Sequence, residues 1–167
     1  YLQTYDAGNP DPYWPVLLPM VKSAVRAMDT IQEIVLDNHS KNITGFVVSG
    51  ASKRGWTTWL TSAVDSRVIS AVPMVIDVLR MDVQMEHHYK CYGFFSETLE
   101  PYNELHIFER MNTPGGSALR AIVDPISYLE QYTMPKFIIN SSGDEFFLPD
   151  SSRFYYHLLP GEKRIRY

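Results

Sequence analysis

The sequence Gly50-Ala51-Ser52-Lys53-Arg54-Gly55 constrains the fold more than any other part of the chain. An apolar run, residues 45–48, precedes it, and a segment with helical character, residues 56–60, follows it. Glycine two residues before a serine and three residues after it lets two backbone segments approach each other without a clash at Cβ. The pattern therefore predicts a strand, a sharp turn and a helix, with the Ser52 hydroxyl exposed at the tip of the turn.

This layout is typical of the nucleophile elbow of α/β-hydrolases, in which a serine attacks a carbonyl carbon. It predicts Ser52 as the nucleophile. The helix that follows would direct free amides at the site, so we expect the amide of Lys53 to be the first oxyanion donor. Arg54 stands where the usual elbow has a second close glycine. Glycine and serine are common in loops, so six residues also fit an ordinary loop, and that alternative stays open here.

The order of the flanking elements predicts the fold class. Apolar residues recur at steps of three and four between positions 17 and 35, which predicts an amphipathic helix. Apolar runs at 46–48, 68–76 and 135–140 read as strands, and 163–167 reads as one more. Helices alternating with buried strands indicate a mostly parallel sheet covered by helices. We therefore predict an α/β protein with a partial α/β-hydrolase fold and flanking helices.

The segment 78–132 is too long for a plain crossover between two strands. We expect a helical insertion that forms a lid over the site, and an ordinary helical layer packed on the sheet is the alternative. A complete domain of this fold needs more than 167 residues. The sequence 1–167 is therefore expected to be a fragment of a single domain.

Two aspartates after the predicted strand 135–140 are candidates for the acid of a catalytic triad. Asp144 lies just past the carboxyl end of that strand, which is where this fold places the acid. Asp150 precedes Ser151-Ser152-Arg153, where an acidic residue is expected to cap a helix. We therefore predict Asp144 as the acid and Asp150 as a helix cap.

None of the five histidines has the position that the triad requires. The histidine of this fold follows one more strand, so it is expected shortly after Tyr167. His157 is expected to pack in an aromatic-rich helix, and His39 lies in a polar turn. His87 and His88 are adjacent on a predicted helix, and His106 lies in the insertion.

Composition excludes several functional classes. The net charge is -4 and the basic residues form no cluster, which argues against nucleic acid as a partner. No apolar run approaches the roughly 20 residues that span a membrane. His87 and His88 lack the spacing of a helical zinc motif, and no glycine loop for a phosphate or a dinucleotide occurs. We therefore expect no cofactor, no metal and no membrane span.

Cellular location is only weakly indicated. The single cysteine, Cys91, excludes an internal disulfide and is expected to be a small core residue. Sequons at Asn38, Asn42 and Asn140 are compatible with a secreted glycoprotein, although a glycan would not fit at Asn140 because it ends a predicted core strand. We therefore expect a secreted or extracytoplasmic protein.

At greater length, the chain resembles the PhoPQ-activated pathogenicity-related proteins, a family of α/β-hydrolase-like proteins that also includes a secreted proliferation repressor of social amoebae. The resemblance covers nearly the whole chain and rests on five blocks: 50–56, 72–79, 87–94, 107–110 and 143–154. It implies Ser52 as nucleophile, Asp144 as acid, a histidine a few residues after Tyr167, and further sheet strands before Tyr1.

The residues around Ser52 are also similar to those of glucuronoyl and related carbohydrate esterases, where a basic residue after the nucleophile can assist the oxyanion. This resemblance gives Arg54 an oxyanion role as a hypothesis, with a structural salt bridge as the alternative. Two functions stay open. The first is a serine hydrolase acting on a small-molecule, peptide or carbohydrate ester. The second is a catalytically silent secreted signalling or scaffold protein with an unknown protein partner.

Overall fold

The computed structural model describes all 167 residues. Four parallel strands form one sheet in the order β1-β2-β3-β4, which is also their order along the chain. The strands are β1 (Phe46–Ala51), β2 (Val68–Met74), β3 (Lys136–Ile139) and β4 (Lys163–Arg166). The α/β fold predicted from the alternating elements is confirmed, because all four predicted strands are present and parallel.

Seven α-helices accompany the sheet. They are α1 (Leu2–Asp6), α2 (Leu17–His39), α3 (Lys53–Val64), α4 (Met81–Tyr92), α5 (Glu100–Glu104), α6 (Ile107–Arg110) and α7 (Pro114–Val123). Short 3₁₀ helices lie at Glu97–Leu99, Pro125–Gln131, Ser151–Phe154 and Tyr156–Leu158. None of these helices is both long enough and apolar enough to cross a bilayer.

The main hydrophobic core lies between α3 and the sheet. Trp59 of α3 is fully buried and meets the rings of Tyr132 and Tyr155 edge to face, at centroid distances of 5.1 and 6.5 Å. Aromatic pairs in this geometry add packing energy beyond the burial of their area. This core holds α3 against the sheet. It therefore also fixes the position of the turn that precedes α3.

Helix α2 packs on α3 through a smaller apolar group formed by Leu17, Val21, Leu60 and Val123. The amphipathic helix predicted from residues 17–35 is confirmed, but Ile31 near its far end is 43% exposed. Three strands also leave a large apolar side chain exposed: Val47, Ile69 and Phe137 are 63, 57 and 42% exposed. Apolar surface therefore remains on the sheet and on the second half of α2.

Asp124 joins the two ends of the helical segment between β2 and β3. Its carboxylate accepts hydrogen bonds from the amides of Arg80 and Met81, at 3.2 and 2.9 Å, and from the amide of Ile126 at 3.0 Å. The first two amides begin α4, and the third begins the 3₁₀ helix that leads to β3. One buried side chain thus caps both ends of this segment.

Candidate active site

Ser52 links the last residue of β1 to the first residue of α3. Its backbone has φ 52° and ψ -128°, a conformation that residues with a side chain rarely adopt. The amide of Ser52 donates to the carbonyl of Met74 at 2.9 Å, so the turn is fastened to the end of β2. The strain, of the order of 1–3 kcal/mol, is held by the packing on both sides and is common at functional sites.

Two glycines allow this tight turn. A Cβ on Gly50 would lie 2.6 Å from the carbonyl oxygen of Arg54. A Cβ on Gly55 would lie 2.6 Å from a methyl carbon of Ile76 and 2.9 Å from the carbonyl oxygens of Gly50 and Met74. The strand and the helix therefore approach each other more closely than any residue with a side chain would allow.

The Ser52 side chain does not cap the helix that it begins. Serine at an N-cap position normally accepts a hydrogen bond from an amide of the first turn, but the Ser52 side chain makes no such bond, and the residue is exposed. The first amides of α3, beginning with that of Lys53, have no carbonyl acceptor within the helix. A free hydroxyl therefore lies beside free amides, which is what an acyl-transfer site needs.

Two exposed cations follow the serine. Neither Lys53 nor Arg54 takes part in any ion pair of the chain. Arg54 therefore forms no salt bridge within these 167 residues.

Asp144 lies in the loop that follows β3. Its Oδ1 accepts hydrogen bonds from the amides of Phe146 and Phe147, at 2.8 and 3.1 Å, and these bonds fix the carboxylate. Its Oδ2 has no hydrogen-bond partner in the chain. Asp144 is half-buried and thus keeps one oriented oxygen for a further donor.

Asp150 does not act as the helix cap that the sequence indicated. It occupies the N-cap position of the helix Ser151–Phe154, but its side chain caps no amide. Its carboxylate instead accepts from Nε2 of His87 at 2.9 Å and from the guanidinium of Arg153 at 2.9 Å. The reason is that α4 brings His87 against this loop, a contact between distant parts of the sequence.

Ser52 and Asp144 follow the same edge of the sheet. Both come after the carboxyl ends of parallel strands, Ser52 after β1 and Asp144 after β3, with β2 between them. Neighbouring strands are about 4.8 Å apart, so the two strand ends are about 10 Å apart. One imidazole and the side chains that it joins can span this separation. Ligands of open parallel sheets bind at this edge.

No histidine of the chain bridges Ser52 and Asp144. His87 pairs with Asp150, and His106 lies 3.2 Å from the carboxylate of Glu109. His88 is buried, its Nε2 accepts the Ser96 amide at 3.1 Å, and burial lowers its pKa below the usual value. His157 is exposed, so the prediction that it packs in an aromatic face is wrong, because its 3₁₀ helix turns it to solvent.

Cys91 is also exposed, and the prediction of a core cysteine is wrong. It lies one helical turn after His87, and its side chain reaches solvent. Asn140, by contrast, is buried, and its amide donates to Asp77 at 2.8 Å. This agrees with the expectation that a glycan would not fit there.

Asp77 lies beneath this edge, just after β2, and no motif of the sequence indicates a role for it. Its two oxygens accept from the Tyr155 hydroxyl and the Asn140 amide, and it is 3% exposed. Burial raises the pKa of Asp77 to about 6, with the nearby Asp144 charge adding to the rise. Its position at a strand end was the only signal in the sequence, and no pattern indicated its partners.

Val75 is a second strained residue at this edge. Its φ of 46° is unusual for a β-branched residue, and its amide donates to the carbonyl of Ile139 at 2.7 Å. Strain thus occurs after both β1 and β2, at the edge of the sheet that carries Ser52. The sequence gives no sign of it.

Asp77 should make stability depend on pH between about 4 and 6. The folded pKa, about 6, is above the unfolded value of 3.8, so the proton stabilises the folded state. This contribution is complete below pH 3.8 and is lost as the pH rises through 6, at a cost on the order of 3 kcal/mol. Urea unfolding at pH 4 and pH 7 measures it in the full-length protein.

The variant Asp77→Asn cannot ionise, and so it should lose less stability than the parent between these two pH values. Buried Asp124, whose pKa burial also raises to about 6, contributes equally to both proteins. An identical loss of stability in the parent and in Asp77→Asn would contradict the prediction.

Two of the surface cavities are large enough to hold a small molecule. One, of about 510 Å³, is lined by Lys53 and Trp56 from the first turn of α3. The other, of about 630 Å³, lies beside α4 and contains no residue of the turn around Ser52. No group of three or more His, Cys, Asp or Glu side chains is placed to hold a metal ion.

Solved structures with the same fold are α/β-hydrolases. The acetyl xylan esterase from Paenibacillus sp. R4 superposes with a TM-score of 0.68 at 19% identity, over 93% of this chain and 47% of the esterase. The acylaminoacyl peptidase of Pyrococcus horikoshii gives a TM-score of 0.54 at 14% identity, over 84% of this chain and 22% of the peptidase. The fold of this chain is that of the α/β-hydrolases, in part.

The sequence identifies the family more closely. The profile of the PhoPQ-activated pathogenicity-related proteins matches residues 2–167, and the chain belongs to this family. A curated relative, autocrine proliferation repressor protein A of Dictyostelium discoideum, is 45% identical over 160 residues. The matched region is 93% of this chain and 32% of the relative, so the chain spans about a third of that protein's length.

Proposed function

We propose that the protein is a serine hydrolase that transfers an acyl group to water. Ser52 is the nucleophile, Asp144 is the acid and the amide of Lys53 is an oxyanion donor. The histidine is a residue that follows β4, outside the 167 residues, where the carboxyl end of that strand adjoins the Asp144 loop. Each role matches the chemistry of the group that fills it.

The reaction has two balanced steps. In the first, Oγ of Ser52 bonds to the carbonyl carbon of an ester, the histidine takes the hydroxyl proton and passes it to the departing alcohol oxygen, and an acyl-enzyme forms. In the second, water bonds to the same carbon, its proton passes through the histidine to Oγ, and the acid is released. The amide of Lys53 stabilises the oxyanion in both steps.

The free Ser52 hydroxyl supports this proposal most directly. A serine that served only as an N-cap would accept a hydrogen bond from an amide in the first turn of its helix. It would not need a strained backbone. Ser52 instead has an uncapped, exposed side chain at φ 52°. The fixed Asp144 carboxylate with one unused oxygen, at the same edge of the sheet, is the second support.

We also propose that the helices between β2 and β3 act as a lid. They begin and end beside Asp124, and the residues between include Tyr102 and Leu105, which line the cavity next to Lys53. A lid there would exclude water from the acyl-enzyme and would shape the space for the substrate.

A fluorophosphonate probe tests the proposed nucleophile. We expect the full-length protein to be labelled and Ser52→Ala to show only background, because the probe phosphonylates an activated serine. Ser142→Ala is the matched control, since Ser142 is another exposed serine at this edge and should be labelled like the parent. Labelling that persists in Ser52→Ala, or that is absent from the parent, would contradict the proposal.

The second candidate is a signalling or scaffold protein that acts through its surface. It is favoured by the name of the amoebal relative, a proliferation repressor, and fold alone does not determine activity. In that case Ser52→Ala should keep the biological activity of the parent. The labelling experiment separates the two functions, because only an enzyme needs a reactive Ser52.

A further inference from the structure

The cavity beside Lys53 lies at the same edge of the sheet as Ser52. Lys53 and Trp56 line it from the start of α3. Val16 and Leu17 line it from the start of α2, and α2 begins at this edge because it runs back toward the start of β1. A group held in the cavity would therefore lie next to the residue that follows the nucleophile.

The lining of this cavity is mainly apolar and open to solvent. Hydrophobic residues make up 11 of its 15 lining residues, which suits a ligand with a large apolar part. Trp14 and Leu105 are 64 and 67% exposed there, and Val16 is 57% exposed. Large apolar side chains that gather around one concave site are typical of a binding surface.

The charge of the lining is positive. No aspartate or glutamate lines the cavity, whereas Lys53 and Arg110 both do. Arg110 is already neutralised, because it pairs with Asp6 and donates to the carbonyl of Leu2 at 3.1 Å. Lys53 has no carboxylate partner, so one ammonium group stands unpaired at the wall of an apolar cavity.

We propose that this cavity binds an apolar group that bears an anionic substituent, with the ammonium of Lys53 as its counter-ion. An apolar ligand without charge would leave Lys53 unpaired, and a small anion would leave the aromatic wall uncovered. Resting on the proposed hydrolase function, the occupant is the part of an ester substrate next to the scissile carbonyl. The substrate class is then an ester with an apolar, negatively charged acyl or alcohol group.

A pair of fluorescent probes tests the binding without catalysis. The anion 8-anilinonaphthalene-1-sulfonate and its uncharged counterpart N-phenyl-1-naphthylamine share an aromatic body, and they differ in the sulfonate. Both are titrated into the full-length protein that carries Ser52→Ala. With Lys53→Met added, we expect the anion to bind about three- to fivefold more weakly and the neutral probe to bind unchanged.

Two further variants keep this result specific. Leu105→Asp, at an exposed position of the wall, should weaken both probes. Arg54→Met removes the adjacent exposed cation, which does not line the cavity, and should weaken neither. Equal anion binding in the parent and Lys53→Met, or a loss in Arg54→Met as large as in Lys53→Met, would overturn the inference.

Hydrolysis provides the readout that separates this inference from the proposed function. The ratio of kcat/KM for mono-p-nitrophenyl suberate to that for p-nitrophenyl octanoate should fall about three- to fivefold in Lys53→Met. Absence of hydrolysis that depends on Ser52 would contradict the proposed function, and the probe titrations would still decide the binding site. Hydrolysis with an unchanged ratio would overturn the substrate class alone.

Discussion

We expect Asp144→Asn to lower kcat of the full-length protein about 10⁴-fold, with KM little changed. An asparagine can keep the bonds from the Phe146 and Phe147 amides to its oxygen, so the loop keeps its shape. An NH₂ group then replaces Oδ2, however. This group donates a hydrogen bond where the histidine must also donate one. The imidazole is then held in the wrong tautomer and cannot take the proton of Ser52. The rate of ester hydrolysis at saturating substrate measures the loss of kcat.

The matched control for this substitution is Asp150→Asn. Asp150 is the other carboxylate after β3, and its partners are His87 and Arg153 on the exterior of the site. We expect kcat to stay within about twofold of the parent, since surface ion pairs have small energies. The assignment of the acid would be reversed if Asp150→Asn lost the activity and Asp144→Asn kept it.

The second large effect concerns folding. We expect Gly55→Ala to lower the free energy of unfolding by about 3 kcal/mol. The new Cβ would meet Ile76 at 2.6 Å and two backbone oxygens at 2.9 Å, and backbone on both sides cannot move aside. Alanine has a better helix propensity by about 1 kcal/mol, which this clash must exceed. Urea unfolding of the full-length protein measures the difference.

Gly143→Ala is the control for this effect. Gly143 also lies at the carboxyl edge of the sheet, but a Cβ there has no atom within 4 Å, and its φ is not positive. We expect its stability to stay within about 0.5 kcal/mol of the parent. If the two variants were equally stable, the close approach of β1 and α3 at Gly55 would have no energetic role.

The arrangement of strands could be predicted from the sequence because buried parallel strands are continuous apolar runs. Residues 46–48, 68–76 and 135–140 are such runs, and each overlaps a strand of the sheet. The turn at Ser52 was predictable for a similar reason. Its glycines and its serine lie within six residues of one another. The need for residues without a side chain at a tight turn can therefore be read from the local sequence alone.

Contacts between distant segments could not be predicted in this way. The hydrogen bond between His87 and Asp150 joins residues 63 positions apart, and it engages the carboxylate that was expected to cap a helix. Asp77 likewise depends on Tyr155, 78 positions away, for its buried hydrogen bond. Local secondary-structure propensity does not predict such pairs, because they form only when the helices have packed on the sheet.

The position of Asp124 has a consequence for how this protein can diversify. Because one carboxylate fastens residues 80–81 and 126 together, the stretch between them leaves and rejoins the sheet at a single point. Exchanges or changes of length within that stretch would alter what covers the edge that carries Ser52, while the strands keep their register. A single buried carboxylate thus lets the length of the helical segment vary independently of the sheet.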